Sequence, residues 1–245
     1  AFFTEVFYQI FGSNDWAYYL LSQIFVVISF FIVWKFSKEF FSNKVYSFLS
    51  VLLLEGIYFY NFTTPEFNVN VCQLPFWALS VLYAWKGFED NKTIDWLLFG
   101  IFAAIGILSK YLFIYLLIAV DIFFIYLIKR KKFNNKSLFS LISFFIILTP
   151  HFIWLFENDF VTFSYAFKRT GLEVTQFLNH IYNPIIFLGK QMGILIPFFL
   201  MLLFIIKSLK IKFKFKDKKF LFLLIINLVP IFLMFLTSVL TGAKL

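Results

Sequence analysis

The stretch Ile94–Ile128, IDWLLFGIFAAIGILSKYLFIYLLIAVDIFFIYLI, decides how this chain must be read. Asp95, Lys110 and Asp121 are its only charged residues. Leu108-Ser109-Lys110-Tyr111 divides it into two apolar runs with almost no loop between them. A helix rises about 1.5 Å per residue, and about 20 apolar residues cross a hydrocarbon core of about 30 Å. The two runs therefore read as successive helices that enter and leave a bilayer through a tight hairpin.

Working outward on the same criterion, eight runs qualify as spans: Trp16–Trp34, Val45–Tyr60, Val69–Trp85, Ile94–Ser109, Tyr111–Ile128, Ser137–Phe156, Phe187–Ile206 and Phe220–Leu240. The second and fourth are short, which suits partial or tilted spans. Assigning the connections alternately to two sides divides the basic residues unevenly. Seventeen fall on one side, at 35–44, 86–92, 129–136 and 207–219, and five on the other: Lys110, Lys168, Arg169, Lys190 and Lys244. Positive residues favour cytoplasmic loops, so the expected topology has eight transmembrane helices with both chain ends outside.

Composition agrees. Hydrophobic residues make up 62% of the 245 positions and charged residues 14%, against roughly 25% charged in soluble domains. Thirty-five charges gathered into short stretches cannot cover a soluble surface of this size. The net charge of +9 lies between apolar runs, which fits a membrane surface and argues against nucleic acid as a partner. Cys72 is the single cysteine, so no intrachain disulfide can form. Residues 1–15 lack the basic start of a signal peptide and form an outer juxtamembrane segment, 157–186 an outer loop and 207–219 a basic cytoplasmic loop. The whole is one integral membrane domain, all-α, and is expected to be truncated at both ends.

Polar residues near bilayer depth carry the functional information, because burying them is costly. All four such places fall on the outer side. In Asn61–Asn68, Pro65 suits a first helical turn with Thr64 as its cap, which leaves Glu66 either completing the cap or free to hold a metal ion or a sugar hydroxyl. Lys110 either snorkels to the interface or meets a lipid phosphate. Pro150 is expected to kink or break the sixth span; His151, Glu157 and Asp159 follow in the longest outer connection, with Lys168 and Arg169 further on. His151 is a packed or hydrogen-bonded histidine or a site residue, and with His180, Glu157 and Asp159 it shows no zinc spacing. Lys190 opens the seventh span. Glu55 and Asp121 fall within spans and are expected to be buried and hydrogen-bonded or protonated, with an ion path as the alternative. Walker, Rossmann, nucleophile-elbow and HExxH patterns are absent.

At these residues the chain resembles the membrane glycosyltransferases of family 39, the group of protein O-mannosyltransferases and aminoarabinose transferases. The likeness runs through Phe11–Asn14, Asn61–Glu66, Gly100–Tyr111 with its closing Leu-Ser-Lys-Tyr, Pro150–Trp154, Glu157–Asp159, Lys168-Arg169 and Thr241–Lys244. It implies a bacterial inner-membrane protein with a GT-C-like helical bundle. Such an enzyme moves a sugar from a polyprenyl-phosphate donor to a lipid, glycan or protein acceptor on the outer, periplasmic face.

By the same resemblance the principal catalytic carboxylate lies in a loop ahead of Ala1. Glu66 would be a secondary carboxylate, or the contact for a divalent metal ion if one is used. Glu66 stands where the family usually has Asp, which puts a role requiring the shorter side chain in doubt. Lys110, Tyr111, Lys168, Arg169 and Lys190 would hold the donor phosphate. A secondary transporter or lipid flippase is the alternative function, motivated by Glu55 and Asp121.

Overall fold

The structure is a computed structural model that describes residues 2–130, 135–169, 177–206 and 217–244, excluding the side chains of 166–169 and 206. The described residues form helices joined by turns and short loops, with no strand among them. In lipid no water is present to satisfy the backbone, so a segment must close its own N–H···O=C bonds. In chain order the helices are α1 (Phe2–Phe11), α2 (Asp15–Ser37), α3 (Lys44–Leu52), α4 (Tyr58–Phe62), α5 (Val69–Asp90), α6 (Thr93–Ser109), α7 (Ile114–Lys129), α8 (Leu138–Glu157), α9 (Val161–Arg169), α10 (Asn179–Ile194), α11 (Ile196–Ile206) and α12 (Lys218–Thr241).

Among the described residues four helical segments are long and apolar enough to cross a membrane: Asp15–Ser37, Tyr111–Lys129, Asn135–Glu157 and Lys218–Thr241. A fifth crossing results if α10 and α11, bent by 43° at their junction, count as one. The protein is thus a multi-pass helical membrane protein. The remaining expected spans take other forms. Helix α6 is apolar but shorter, and α5 runs on to a charged end at Lys86–Asp90.

The expected span Val45–Tyr60 is not one helix. It is divided into α3, a 3-10 turn at Leu53–Gly56 and α4. It still runs the length of its neighbour: the Ser37 hydroxyl donates to the Ser47 carbonyl at 3.3 Å, and the Ser22 hydroxyl donates to the Thr64 carbonyl. Residues 47–64 therefore lie antiparallel to about 22 Å of α2. Glu55 sits in the 3-10 turn and is exposed, not buried.

Two further expectations need correction. Pro150 does not end α8, which continues to Glu157. The outer connection 157–186 is largely helical, because α9 occupies its first part and α10 begins at Asn179. Asp121 is not buried but exposed on α7, in line with Ile114, Ile125 and Ile128. The lysine-rich run 207–216, with Lys131 and Lys132, lies outside the described residues.

Aromatic packing joins the bundle. Trp85 of α5, Phe123 of α7 and Phe222 of α12 are fully buried, with Phe222 5.0 Å from the rings of both partners. A second cluster sets Phe3 of α1 against Phe25 of α2 at 4.9 Å, beside Val71 of α5. Where helices approach most closely the residues are small. The Ser143 hydroxyl donates across to the Leu97 carbonyl at 2.9 Å, and a methyl group on Gly100 would overlap the Ser140 carbonyl. Without a hydrophobic drive between helices in lipid, such close backbone contact is a main source of cohesion.

The contacts sort the connections into two ends. At one end Lys218 meets Glu89 at 2.7 Å, Lys219 donates to the Glu39 carbonyl at 2.6 Å and Lys136 to the Asn91 carbonyl at 3.3 Å. At the other, Lys110 joins Asn70, Tyr115 joins Thr237 and His180 joins the Val239 carbonyl.

Candidate active site at the lysine-poor end

Helix α6 ends where Lys110 adopts extended backbone, φ −162° and ψ 125°, while Ser109 donates back to the Ile105 carbonyl at 2.9 Å. The chain then re-enters a helix at once through a 3-10 turn, Tyr111–Phe113. Phe113 is fully buried and fills the space that Gly106 leaves by lacking a side chain. This tight reversal projects Lys110 and Tyr111 together. Lys110 Nζ reaches the Asn70 side-chain oxygen at 2.6 Å.

Helix α5 begins one residue after Asn68, whose side chain caps it by accepting from Asn70 N and Val71 N. The cap is therefore Asn68 and not Thr64. Thr64 is buried, its hydroxyl donating to the Tyr60 carbonyl at 2.8 Å while its own carbonyl serves α2. Pro65 and Glu66 lie in the loop ahead of the helix, and Glu66 is exposed.

The opposite wall comes from α8 and α9. At their junction Asp159 and Phe160 take the left-handed conformation, φ 49° and 52°, and the chain doubles back. Non-glycine residues rarely adopt such angles. The reversal lays α9 against the α6–α7 turn, so that the Tyr111 hydroxyl lies 2.8 Å from His151 Nε2 and 3.0 Å from the Thr162 hydroxyl. Phe163 stacks on the Tyr111 ring at 5.5 Å, and Trp154 stacks on His151 at 5.9 Å.

Ile107–Tyr111, His151, Trp154 and Thr162 enclose a cavity of about 440 Å³. That is within the range of ligand sites. A second cavity of about 620 Å³ shares Leu108 and Ser109 with the first and is bounded by Phe2, Phe3, Phe67 and Cys72. One cleft therefore presents a cationic, hydroxyl-bearing part beside an aromatic one. An ammonium, a phenol and an imidazole around an open space can hold an anion.

Of the residues expected at a site, the structure brings together Lys110, Tyr111 and His151. Glu157 and Asp159 are exposed at the α8–α9 turn and do not line the cavity. Lys190 is not at the start of its helix. It is exposed about three turns inside α10, a helix packed chiefly on α12. The Lys168 and Arg169 side chains lie outside the described residues. Among the described residues no three His, Cys, Asp or Glu side chains come together as a metal-binding group. Asn70 and Thr162 were not legible as site residues. Neither belongs to a local motif; Thr162 reaches the cavity, and Asn70 reaches Lys110, only through folding.

Over 136 residues, 52% of its length, this chain is 30% identical to the undecaprenyl phosphate-alpha-4-amino-4-deoxy-L-arabinose arabinosyl transferase of Wigglesworthia glossinidia brevipalpis. The match spans 23% of that relative's length. No solved structure matches the chain. The family described as dolichyl-phosphate-mannose-protein mannosyltransferase matches residues 1–154, a segment that holds α1 to α7 and most of α8, with Asn70, Lys110, Tyr111, His151 and Trp154. Covering well over half of the sequence, that match makes this chain a member of the dolichyl-phosphate-mannose-protein mannosyltransferase family, a family of GT-C-type membrane glycosyltransferases.

Proposed function

We propose that this chain forms part of a glycosyltransferase that takes a sugar from a polyprenyl-phosphate carrier and passes it to a hydroxyl of a lipid, glycan or protein acceptor. The observation that carries the reading is the Lys110–Tyr111–His151 cavity at the lysine-poor end, inside the family-matched segment. The relative's name, which specifies a sugar on undecaprenyl phosphate, supports a donor of that class. We place the bundle in a bacterial inner membrane as eight crossings, three of them short, broken or bent. Both chain ends and the cavity then face the periplasm, as the unequal lysine count favours.

In the transfer the bond between the anomeric carbon and the phosphate oxygen breaks, and its electron pair leaves with the phosphate. The acceptor oxygen forms the new bond, and its proton passes to a base. Lys110 and Tyr111 answer the charge that develops on the departing phosphate, where fixed donors lower the barrier most. Lys168 and Arg169, at the end of α9, add to the cationic set on that face, whereas Lys190, about three turns inside α10, does not join it. Glu66, on the loop that leads to Asn70, acts as a secondary carboxylate toward a sugar hydroxyl.

Transport, the other reading, is weakened, because Glu55 and Asp121, which motivated it as buried groups, are both exposed. In the full-length protein Lys110→Ala and Glu66→Gln should each reduce sugar transfer from a polyprenyl-phosphate donor while leaving membrane insertion intact. Full activity in both variants would sink the assignment.

A further inference from the structure

His151 is half-buried, stacked on Trp154, and its Nε2 meets the hydroxyl of Tyr111, the residue next to Lys110. A neutral imidazole nitrogen can accept the phenol proton. An imidazolium has no lone pair at Nε2 and must donate. A neutral ring accepts at Nε2 only when its proton is on Nδ1, so protonating His151 removes the one arrangement in which Tyr111 spends its proton on the ring. With a neutral ring, Tyr111 can spend its proton on His151. With a charged ring, Tyr111 receives from His151 and its own proton is available to Thr162 or to a ligand in the cavity.

We propose that His151 is the second cationic group of the phosphate site, acting through Tyr111 as a positioning residue that turns the Tyr111 hydroxyl toward the bound anion. This rests on the reading of the cavity as the donor-phosphate site. Lys110 supplies a fixed charge on the α6–α7 turn. The Tyr111 hydroxyl, held between His151 and Thr162, supplies a directed hydrogen bond, and the imidazolium supplies charge without needing to touch the ligand. Glu157 and Asp159 at the α8–α9 turn are the acidic groups of the elements packed around His151. Lys168 and Arg169 at the end of α9 are the further basic ones. The occupant with matching chemistry is a phosphate monoester or diester carrying an apolar chain, since the adjoining cavity is walled by Phe2, Phe3 and Phe67.

The test is binding of farnesyl monophosphate to the full-length protein in lipid nanodiscs from pH 5.5 to 8.5. Imidazole is the side chain that ordinarily changes charge within this interval. The phosphate's own second ionisation, near pH 6, strengthens binding to Lys110 as pH rises, so it must be divided out. His151→Gln keeps a hydrogen-bond donor without the charge and sees the same ligand. The expected result is that wild type binds about tenfold more tightly than His151→Gln at pH 5.5 and that the ratio shrinks toward one at pH 8.5. Tyr111→Phe should lose the same pH-dependent part, and the double variant should lose no more than either single one. His151→Gln tracking wild type at every pH, with Lys110→Ala abolishing binding, overturns the role of His151 alone. Undiminished binding in Lys110→Ala overturns the phosphate site and this inference with it. Farnesol, which lacks the phosphate, should bind all five proteins alike, and a pH-dependent farnesol affinity in wild type would also overturn the proposal.

Discussion

Lys110 Nζ lies 2.6 Å from the side-chain oxygen of Asn70, 40 positions earlier in the chain. The contact ties the end of α6 to the first turn of α5 and holds a long, flexible cation at the mouth of the cavity. A lysine that must be found in one position by a phosphate gains from such a tether, because ordering its side chain otherwise costs up to about 2 kcal/mol.

Asn70→Ala should therefore slow sugar transfer by about tenfold, the loss expected for one hydrogen bond to a charged group. Asn70→Asp should slow it too, for the opposite reason: a carboxylate beside Lys110 competes with the phosphate. Initial rates with a polyprenyl-phosphate-sugar donor separate the two, since only the Asp variant should recover as salt is raised.

Gly106→Ala pushes a methyl into the buried Phe113 ring, at the base of the turn that carries Lys110 and Tyr111. Overpacking of this kind costs about 1–3 kcal/mol. The thermal midpoint in nanodiscs should fall and donor binding should weaken together. Adding Phe113→Leu should restore a good part of both, and a double variant no better than the single would show that the contact is not the cause.

Gly100→Ala should be more damaging to stability and less to binding. Its new methyl meets the Ser140 backbone carbonyl of α8, which cannot rotate away. Helices α6 and α8 must then separate, again at a cost of about 1–3 kcal/mol. Ser143→Ala removes only the hydroxyl bond to the Leu97 carbonyl and should cost about 0.6 kcal/mol, the average for such bonds between membrane helices. Thermal unfolding of the two variants checks the order.

Asp121 lies exposed among isoleucines on α7, at a depth where a carboxylate disfavours insertion by about 3 kcal/mol. Asp121→Leu should raise the inserted fraction of this helix in a translocation assay and leave sugar transfer unchanged. Loss of transfer in that variant would give Asp121 a role in the reaction and revive the reading it supported in the sequence.

The local parts of the site were legible because their cause is local. Leu108-Ser109-Lys110-Tyr111 between two apolar runs has no room for anything but a reversal, and the structure makes one from a single extended residue and a 3-10 turn. The cap of α5 was placed four residues early, on Thr64. A threonine before a proline satisfies the same local rule as Asn68, and only the use of Thr64 by α2 decides between them. The expected span at Val45–Tyr60 was apolar enough to read as a helix, yet its Gly56 lies against α11 so closely that a side chain there would strike Phe198 and Met201. No window of sequence contains that contact.

The sequence by itself determined the solvent of this protein, the helical answer to it, the lysine asymmetry between the two ends and the residues in the α6–α7 turn. These depend on composition and on spacing within one segment, which hydrophobic transfer and backbone satisfaction read directly. Only the tertiary structure decided which polar groups share a cavity. It separated Lys190, Glu157 and Asp159 from Lys110, and it brought in Asn70 and Thr162. Their meeting depends on which small residues let α6 approach α8 and on the left-handed turn that folds α9 back onto Tyr111. Those are properties of surfaces in contact, set by shape across residues 40 and 51 positions apart.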